Sequence, residues 1–289
     1  MLTARDPVLM DLDGVFVPLI TPFDADGGVA VDALAGLAKQ VLDDGAAGLV
    51  ALGTTGEPGS LTEEERAAVV TALVEVCRGR DVPLVVGAST EAAVRALPAE
   101  VSAAMALVPP FTRPGAAGVL AHLRAVAAAS PVPLIVYHVP QRTGQELPPA
   151  ALRAIAEIPG VVGVKYATGR IDADAAAFLT DLPEHFTALC GDDALIAPML
   201  ALGARGAVAA SAHLATADFA RLVRDGAGDA ALVARLVAVA GAVFAEPNPT
   251  VLKAVLHAQG RIPTPSVRLP LLPAAAESRD AVLAVLSAL

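Results

Sequence analysis

The sequence has 289 residues and a formal net charge of −10, and 55% of its side chains are hydrophobic. This length suits one large α/β domain or two small ones, and the acidic balance argues against a nucleic acid or an anionic membrane as a partner. The longest apolar stretches, Leu195–Ala215 and Ala230–Ala245, are interrupted by Arg205 and Arg235. No uninterrupted run of about 20 apolar residues therefore predicts a membrane-spanning helix.

Signals for targeting and for disulfide bonding are weak in this sequence. The segment Met1–Pro7 lacks the charged and then apolar pattern of a signal peptide. Cys77 and Cys190 are isolated, which predicts neither a disulfide framework nor a thiolate zinc site. We therefore expect a cytoplasmic protein. Because its net field is negative, an anionic substrate requires a local cation.

Short apolar runs alternate with Ala-rich helical stretches along the chain. The candidate strands are Val15–Ile20, Gly48–Leu52, Pro83–Val86, Met105–Val108, Pro133–Tyr137, Val161–Lys165, Thr187–Cys190 and Ala207–Ala210. The clearest helical segments are Asp32–Leu42, Thr62–Cys77 with its capping box, Gly115–Ala129, Asp172–Leu182, Leu195–Leu202 and Ala215–Val223. Eight strands that alternate with helices predict an α/β fold, the (β/α)8 TIM barrel, rather than an open sheet.

The pattern changes after Ala210, where only helices are predicted. These lie near Ala230–Ala245, Thr250–Gln259 and Ala281–Leu289. We therefore expect a (β/α)8 catalytic barrel over residues 1–224 and a C-terminal helical extension, residues 225–289, packed on the barrel.

Polar residues cluster just after the candidate strands. They are Gly53-Thr54-Thr55-Gly56-Glu57 after the second, Tyr137 to Arg142 at the end of the fifth, Lys165 at the end of the sixth, Gly191-Asp192-Asp193 after the seventh and Ser211 after the eighth. Barrel enzymes carry their chemistry at the carboxyl ends of the strands. We therefore expect Thr54, Thr55, Tyr137 and Lys165 to face one mouth of the barrel.

Lys165 ends a short β-branched run, Gly160–Val164, that is long enough for one buried strand. Removing an ammonium group from water is costly, so burial favours the neutral amine, which is a nucleophile toward carbonyls. This position makes Lys165 a candidate Schiff-base former. The alternative is a solvated lysine at the start of a loop.

The other candidates also have two interpretations each. The Gly53–Gly56 motif can present hydroxyl and backbone N–H groups to a carboxylate, or it forms an ordinary Gly-Thr turn. Tyr137 can transfer protons, or its hydroxyl satisfies a core hydrogen bond. Arg142 offers a fork of donors to a second carboxylate, or it is a solvated loop arginine.

Metal and nucleotide chemistry have less support in the sequence. His138 and His213 follow the fifth and eighth strands, but two dispersed histidines more often form ordinary hydrogen bonds, so we expect no metal site. Asp192 and Asp193 disfavour a phosphorylated substrate at the end of the seventh strand. No Gly-x-Gly-x-x-Gly motif opens a helix, so a dinucleotide site has no support.

Three motifs together resemble the signatures of the dihydrodipicolinate synthase/N-acetylneuraminate lyase family. They are Gly53-Thr54-Thr55-Gly56-Glu57, Tyr137-His138-Val139-Pro140-Gln141-Arg142-Thr143-Gly144 and Gly163-Val164-Lys165-Tyr166-Ala167-Thr168-Gly169. The likeness runs from Pro18–Phe23 to Arg268–Pro270. It implies a class I aldolase or lyase on a (β/α)8 barrel that acts on pyruvate and an aldehyde. It also implies a homo-oligomer, usually a tetramer, with no metal or organic cofactor.

The resemblance also implies roles for single residues. Lys165 corresponds to the lysine that forms an imine with pyruvate, Tyr137 to the tyrosine that shuttles protons, and Thr54 to the threonine that relays protons to that tyrosine. The remaining correspondences concern substrate binding: Thr55 helps to hold the pyruvate carboxylate, the backbone carbonyl of Val208 approaches the site, and Arg142 binds the carboxylate of the second substrate.

Several features lean toward the synthase branch, which condenses pyruvate with aspartate 4-semialdehyde in lysine biosynthesis. They are Arg142-Thr143-Gly144 after Pro140, the segment Glu246–Pro249 with Lys253, and the Arg268–Pro270 ending.

The sequence departs from that branch at several positions. Pro110 and Phe111 stand where the synthases usually carry two tyrosines, the second of which completes a proton relay in a neighbouring subunit. His138 replaces a usual Asn, Tyr166 replaces a usual Glu, and the segment Ala88–Ala104 is shorter than usual. Two alternatives therefore stay open. One is a related aldolase or dehydratase for a keto-sugar acid or a hydroxyproline-derived acid, and the other is a keto-acid-binding barrel that has lost turnover.

Overall fold

The computed structural model describes residues 11–287 and shows a closed barrel of parallel strands. The strands pair in chain order, and the last pairs with the first. Their bounds are β1 Gly14–Pro18, β2 Gly48–Ala51, β3 Leu84–Gly87, β4 Ala103–Leu107, β5 Leu134–His138, β6 Val161–Tyr166, β7 Thr187–Cys190 and β8 Gly206–Val208. Each predicted strand is present within two residues at either end, so the predicted TIM barrel is confirmed.

Helices cover the outside of the barrel and form the C-terminal part. They are α1 Val31–Asp43, α2 Glu63–Arg78, α3 Glu91–Arg95, α4 Gly115–Ala129, α5 Pro140–Thr143, α6 Pro149–Ala156, α7 Ala173–Leu179, α8 Ile196–Ala201, α9 Ala212–Asp225, α10 Ala230–Val243, α11 Thr250–Ala258 and α12 Ala276–Ser287. The predicted capping box of α2 is present, with Thr62 Oγ1 accepting from Glu65 N at 3.2 Å and Glu65 Oε2 accepting from Thr62 N at 2.9 Å.

Some helices differ from the expectations drawn from sequence: α5 and α6 were not predicted, and α12 begins at Ala276 rather than near Ala281. Helix α6 was not predicted, because Pro148-Pro149 looks like a break, although proline is well tolerated in the first turn of a helix. Helix α3 has only five residues, in keeping with the short segment Ala88–Ala104. No helix in residues 11–287 is long and apolar enough to cross a membrane.

The strands bury side chains on both faces, as parallel strands in a barrel do. One apolar cluster fills the barrel interior, with Phe16, Val50, Met105 and Leu189 among its members. A larger cluster lies between the strands and the surrounding helices. The alternation along each strand therefore decides which side chains reach the interior and its open ends.

The C-terminal helices share an apolar cluster with the barrel. Val239, Val251 and Val282 of α10, α11 and α12 pack with Ile20, which follows β1, and with Ala210, which follows β8. The division into residues 1–224 and 225–289 stays a prediction. Met1–Pro7, where no signal peptide was expected, and the last two residues of the predicted helix Ala281–Leu289 lie outside the described residues.

Candidate active site

Lys165 lies on β6 with its side chain in the barrel interior. Its neighbours Val164 and Tyr166 belong to the outer apolar layer, so strand alternation places Lys165 on the inner face. Only 7% of its surface is exposed. Its Nζ atom lies 4.1 Å from the centre of the ring of Tyr137, the residue directly opposite on β5. This lysine is therefore buried and faces the tyrosine, and its role as a Schiff-base former stays a prediction.

Gly191, the first residue after β7, leaves the space that the lysine side chain occupies. A Cβ atom at this position would lie 2.9 Å from Lys165 Cε, 3.0 Å from Lys165 Cγ and 2.8 Å from Ala167 Cβ. These distances are shorter than normal contacts between non-bonded carbon atoms. Only a glycine therefore fits beside Lys165 without displacing it.

We expect Gly191→Ala to lower the free energy of unfolding by about 1–3 kcal/mol, because the added methyl overpacks the site, and to slow any chemistry of Lys165. Urea unfolding and kinetics measure both effects. Gly36→Ala on α1 is the matched control, since its Cβ would meet nothing within 4 Å. Alanine favours the helix over glycine by roughly 1 kcal/mol, so we expect Gly36→Ala to raise the free energy of unfolding by about that amount. A Gly191→Ala protein with wild-type stability and activity would contradict the proposed packing.

The Gly-Thr motif forms a tight turn at the end of β2. Thr54–Gly56 is one 3₁₀ turn that begins at Gly53. Thr55 is buried, and its Oγ1 atom accepts a hydrogen bond from Asn248 Nδ2 at 2.9 Å. The motif is therefore a rigid wall of the site, and Asn248 of the C-terminal extension holds it.

Two adjoining cavities lie at the carboxyl ends of the strands. The inner chamber has a volume of about 200 Å3 and is lined by Thr54, Thr55, Tyr137, Arg142, Lys165, Asp192, Val208, Phe244 and Asn248, among others. The outer chamber has a volume of about 510 Å3 and is lined by Gly53, Thr54, Met105, Tyr137, Arg142, Asn248 and Leu269, among others. All seven residues that sequence analysis selected line one chamber or both. Their individual roles stay predictions.

Arg142 stands at the boundary of the two chambers, on the single helical turn α5. It is exposed. The structure pairs the other buried lysine, Lys253, with a carboxylate. In the described part of the chain neither Arg142 nor Lys165 has such a partner. Arg142 is therefore available to an anionic ligand, and the Lys165 amine to an electrophilic one.

Several lining residues were not selected from the sequence as site residues, among them Asp192, Phe244 and Asn248. Asp192 Oδ2 accepts from Gly169 N at 2.7 Å. Burial raises the pKa of its carboxyl, although the Gly169 N–H and the charge of Lys165 oppose that shift. Asn248 was noted only as a marker of the synthase branch, and Phe244 follows an Ala-rich helix that carries no functional signal. The Gly191-Asp192-Asp193 motif was the one available pointer to Asp192.

Asp193 is hydrogen-bonded to the backbone of a neighbouring loop. Its side chain is buried, and Oδ2 accepts from Ser211 N at 2.6 Å, which ties the loop after β7 to the loop after β8. Burial raises the pKa of Asp193, and the hydrogen bond from Ser211 opposes this shift. Both acids line the inner chamber, but Asp193 also holds the two loops together.

The two histidines considered as metal ligands are buried and do not line either chamber. His213 Nδ1 donates to Ala210 O at 2.8 Å, and Nε2 accepts from Ile20 N at 3.3 Å. His138 packs against the Tyr166 ring, and neither of its ring nitrogens has a hydrogen-bond partner. Burial lowers the pKa of both to about 4. In residues 11–287, no group of three or more His, Cys, Asp or Glu side chains could hold a metal ion.

The barrel and the two chambers at the carboxyl ends of its strands define a (β/α)8-barrel enzyme. The model of the Dihydrodipicolinate synthetase family matches residues 11–289. A 4-hydroxy-tetrahydrodipicolinate synthase of Sorangium cellulosum is 37% identical over 287 residues, covering 94% of each chain. The chain therefore belongs to the dihydrodipicolinate synthetase family, which confirms the resemblance seen in the motifs.

Solved structures of the same family have the same fold. The dihydrodipicolinate synthase of Thermotoga maritima superposes with a TM-score of 0.90 at 26% identity, covering 96% of this chain and 98% of that one. The chloride-inhibited synthase of Acinetobacter baumannii, crystallised in complex with pyruvate, has a TM-score of 0.89 at 31% identity, with coverage of 96% and 98%.

Proposed function

We propose that this protein is a pyruvate-dependent class I lyase that condenses pyruvate with aspartate 4-semialdehyde, as a 4-hydroxy-tetrahydrodipicolinate synthase of lysine biosynthesis does. The observation that carries the proposal is the buried amine of Lys165, which lies 4.1 Å from the centre of the Tyr137 ring beside the inner chamber. The pyruvate complex of the Acinetobacter baumannii relative supports pyruvate as the first substrate.

In the proposed reaction, the Nζ atom of Lys165 adds to the carbonyl carbon of pyruvate, and water leaves as the imine forms. The pyruvate methyl group then loses a proton and becomes the nucleophilic carbon of an enamine. That carbon bonds to the aldehyde carbon of the second substrate, whose oxygen takes up a proton. The amino group of the second substrate then attacks the imine carbon, which closes the ring and releases Lys165.

Each of these steps moves a proton, and in this proposal Tyr137 carries it. Its ring lies against Lys165, and both chambers border it. Thr54 lines the same two chambers and extends the proton path from Tyr137. Thr55 and Val208 line the inner chamber only, where the pyruvate carboxylate would lie next to the imine.

The second substrate needs a cation for its carboxylate and acceptors for its ammonium group. Arg142 supplies the cation, and its planar fork suits a carboxylate. Asp192 supplies an anionic acceptor in the inner chamber. Asn248 Oδ1 is a buried acceptor with no hydrogen-bond partner in the described residues, although Nδ2 of the same amide is bound to Thr55. These groups together suit an amino acid that carries an aldehyde.

A coupled assay with pyruvate and aspartate 4-semialdehyde tests this proposal. We expect turnover, and we expect a panel of other aldehydes, including keto-sugar precursors, to react at least about 100-fold more slowly, because they leave the polar groups of the site unpaired. A preferred substrate elsewhere in the panel, in the condensation or in the retro-aldol direction, would instead assign the protein to a related aldolase or dehydratase.

A keto-acid-binding barrel without turnover is the second candidate, and Phe111 is the observation that favours it. This residue has no hydroxyl group to complete the relay that the resemblance implies. Calorimetry that shows pyruvate binding, together with no turnover of any aldehyde in the panel, would establish this alternative.

We also propose that the protein is a homo-oligomer, a tetramer or a dimer, and that it works in the cytoplasm. Phe111, Leu269 and Leu272 are 88%, 78% and 68% exposed, and a subunit interface would remove such large apolar side chains from water. Leu269 also lines the outer chamber. The free, buried thiols of Cys77 and Cys190 suit a reducing compartment. Sedimentation that shows a monomer at all concentrations would contradict the oligomer.

We expect Phe111→Tyr to raise kcat by up to about 10-fold, because the added hydroxyl provides the proton donor that a phenylalanine lacks. Steady-state kinetics with pyruvate and the aldehyde measure the effect. Phe111→Leu is the matched control, since it adds no hydroxyl and should leave kcat unchanged. An unchanged rate in Phe111→Tyr would mean that another group or water already supplies the relay.

A further inference from the structure

A buried ion pair joins the Gly-Thr motif to the C-terminal extension. Lys253 Nζ, on α11, lies 2.5 Å from Glu57 Oε1, and the two side chains are 0% and 3% exposed. Lys253 Nζ also donates to Ser266 O at 2.9 Å. Removing two charges from water is expensive, so such a pair is weak evidence for stability alone. Its position, directly after Thr54-Thr55-Gly56, suggests another role.

The extension binds both carboxylate oxygens of Glu57. While Lys253 holds Oε1, the backbone N–H of Arg268 donates to Oε2 at 2.8 Å. The Arg268 guanidinium in turn donates to Ser60 O at 2.8 Å and to Glu65 Oε2 at 2.7 Å. The Lys253 ammonium and the Arg268 guanidinium both lie over the ring of Phe23, at 3.9 and 4.3 Å. Glu57 therefore has little freedom to move.

The restrained side chain also restrains the backbone of the motif. Glu57 has a φ of +53°, a left-handed conformation that a non-glycine residue adopts at a cost. Its N–H donates to Thr54 O at 3.2 Å, and its carbonyl accepts from Ser60 N at 3.0 Å. Leu52, at the other end of the motif, also has a positive φ, of +52°. The contacts of Glu57 thus keep a strained turn in place.

Asn248 adds a second contact from the extension to the same turn. Its Nδ2 atom donates to Thr55 Oγ1, while Thr21 Oγ1, on the barrel side, donates to Gly56 O at 2.8 Å. Three consecutive residues, Thr55, Gly56 and Glu57, are therefore bound by groups outside the turn, Gly56 from the barrel side and the other two from the extension. The contacts from the C-terminal side come from three separate points of the extension: Asn248, Lys253 and Arg268.

We propose that Glu57 is a positioning residue through which the C-terminal extension sets the place of Thr54 and Thr55 in the two chambers. The proposal rests on the proposed function for the roles of the two threonines. Their hydroxyls must lie within hydrogen-bond reach of Tyr137 and of the pyruvate carboxylate. A displacement of the turn by about 1 Å is enough to cost on the order of 100-fold in rate.

The test uses the double variant Glu57→Gln/Lys253→Met, because removing one partner alone leaves an unpaired buried charge. Deuterium exchange of peptides that cover residues 52–61 is measured beside kinetics in which pyruvate and the aldehyde are varied separately. We expect faster exchange in these peptides only. We also expect kcat/KM for pyruvate to fall by about 10- to 100-fold, in part through a higher KM for pyruvate. The KM for the aldehyde should stay within about twofold, since Arg142 stands on another loop.

Arg235→Met is the matched control. It breaks the Arg235–Asp218 ion pair of 2.6 Å between α10 and α9, which does not contact the turn. We expect neither faster exchange in residues 52–61 nor a change in pyruvate kinetics. Arg268→Leu is a second test in case the double variant does not fold. It removes the side-chain contacts of Arg268 but keeps the backbone N–H that binds Glu57. We therefore expect a smaller increase in the exchange of residues 52–61 and a smaller fall in kcat/KM for pyruvate.

Three outcomes would overturn the positioning role. The first is wild-type exchange and kinetics in the double variant, or in Arg268→Leu if the double variant does not fold. The second is an effect in Arg235→Met equal to that in the double variant. The third is a fall in kcat with both KM values unchanged, which a smaller active fraction of the protein explains. A wild-type protein that forms no borohydride-trapped adduct with pyruvate would refute the proposed function instead. The exchange of residues 52–61 would still decide whether Glu57 restrains the turn.

Discussion

Lys165→Ala is expected to abolish the trapped pyruvate adduct and to lower turnover by more than about 10³-fold, because no other group can take the place of a missing nucleophile. The sequence has three lysines, Lys39, Lys165 and Lys253. Lys39 is exposed on α1, and the Lys253 amine is bound to Glu57. Only Lys165 combines burial with an amine that faces a cavity.

Borohydride reduction in the presence of pyruvate, followed by intact and peptide mass spectrometry, measures this effect. The wild type should gain one adduct, on the peptide that contains Lys165. Lys39→Ala is the matched control and should keep both the adduct and the activity. Lys165→Met should abolish the adduct while keeping the volume beside Gly191 filled, which separates chemistry from packing. An adduct on Lys39 or Lys253, or full activity in Lys165→Ala, would refute the imine mechanism.

Tyr137→Phe is expected to lower kcat by about 10²- to 10³-fold, because it removes the hydroxyl proposed to transfer protons and leaves the ring in place. The ring under Lys165 Nζ and the packing of the barrel interior stay the same, so stability should change little. The trapped adduct should still form, but more slowly. Rapid-quench trapping with borohydride measures that rate separately from turnover.

Tyr166→Phe is the matched control for this loss, since Tyr137 and Tyr166 are the two tyrosines of the sequence. Tyr166 follows Lys165 directly but lies in the outer apolar layer, with its ring 5.9 Å from that of Phe178. Its hydroxyl does not reach either chamber, so we expect kcat within about twofold of wild type. Equal losses in the two variants would argue against proton transfer by Tyr137.

The strands could be predicted because their signals are local. The run Val161–Lys165 is β-branched and bounded by turn residues, and the barrel buries it on both faces. The α2 cap was equally clear from Thr62 and Glu65 alone. Helix α6 was not predicted because proline is tolerated in the first turn of a helix but breaks the interior of one. The sequence alone does not show which of these positions Pro148 and Pro149 occupy.

The candidate site was predictable where a residue follows a strand and carries a distinctive group. Lys165, Tyr137 and the Gly53–Thr55 segment satisfy both conditions, and they line the chambers as expected. Phe244 and Asn248 do not follow a strand, so strand position could not select them. Gly191 follows a strand, but its contribution is to leave space for the Lys165 side chain. Only the position of Lys165 in the structure reveals this contribution.

The sequence by itself determined the barrel class, the family and the lysine on which the proposed chemistry depends, because strand periodicity, caps and short motifs are properties of neighbouring residues. Only the tertiary structure decided how the C-terminal extension meets the site. Asn248 and Thr55 are 193 residues apart in the chain, and Lys253 and Glu57 are 196 apart. Contacts over such separations exist only after the barrel has closed and the extension has packed on it, and no local pattern encodes them.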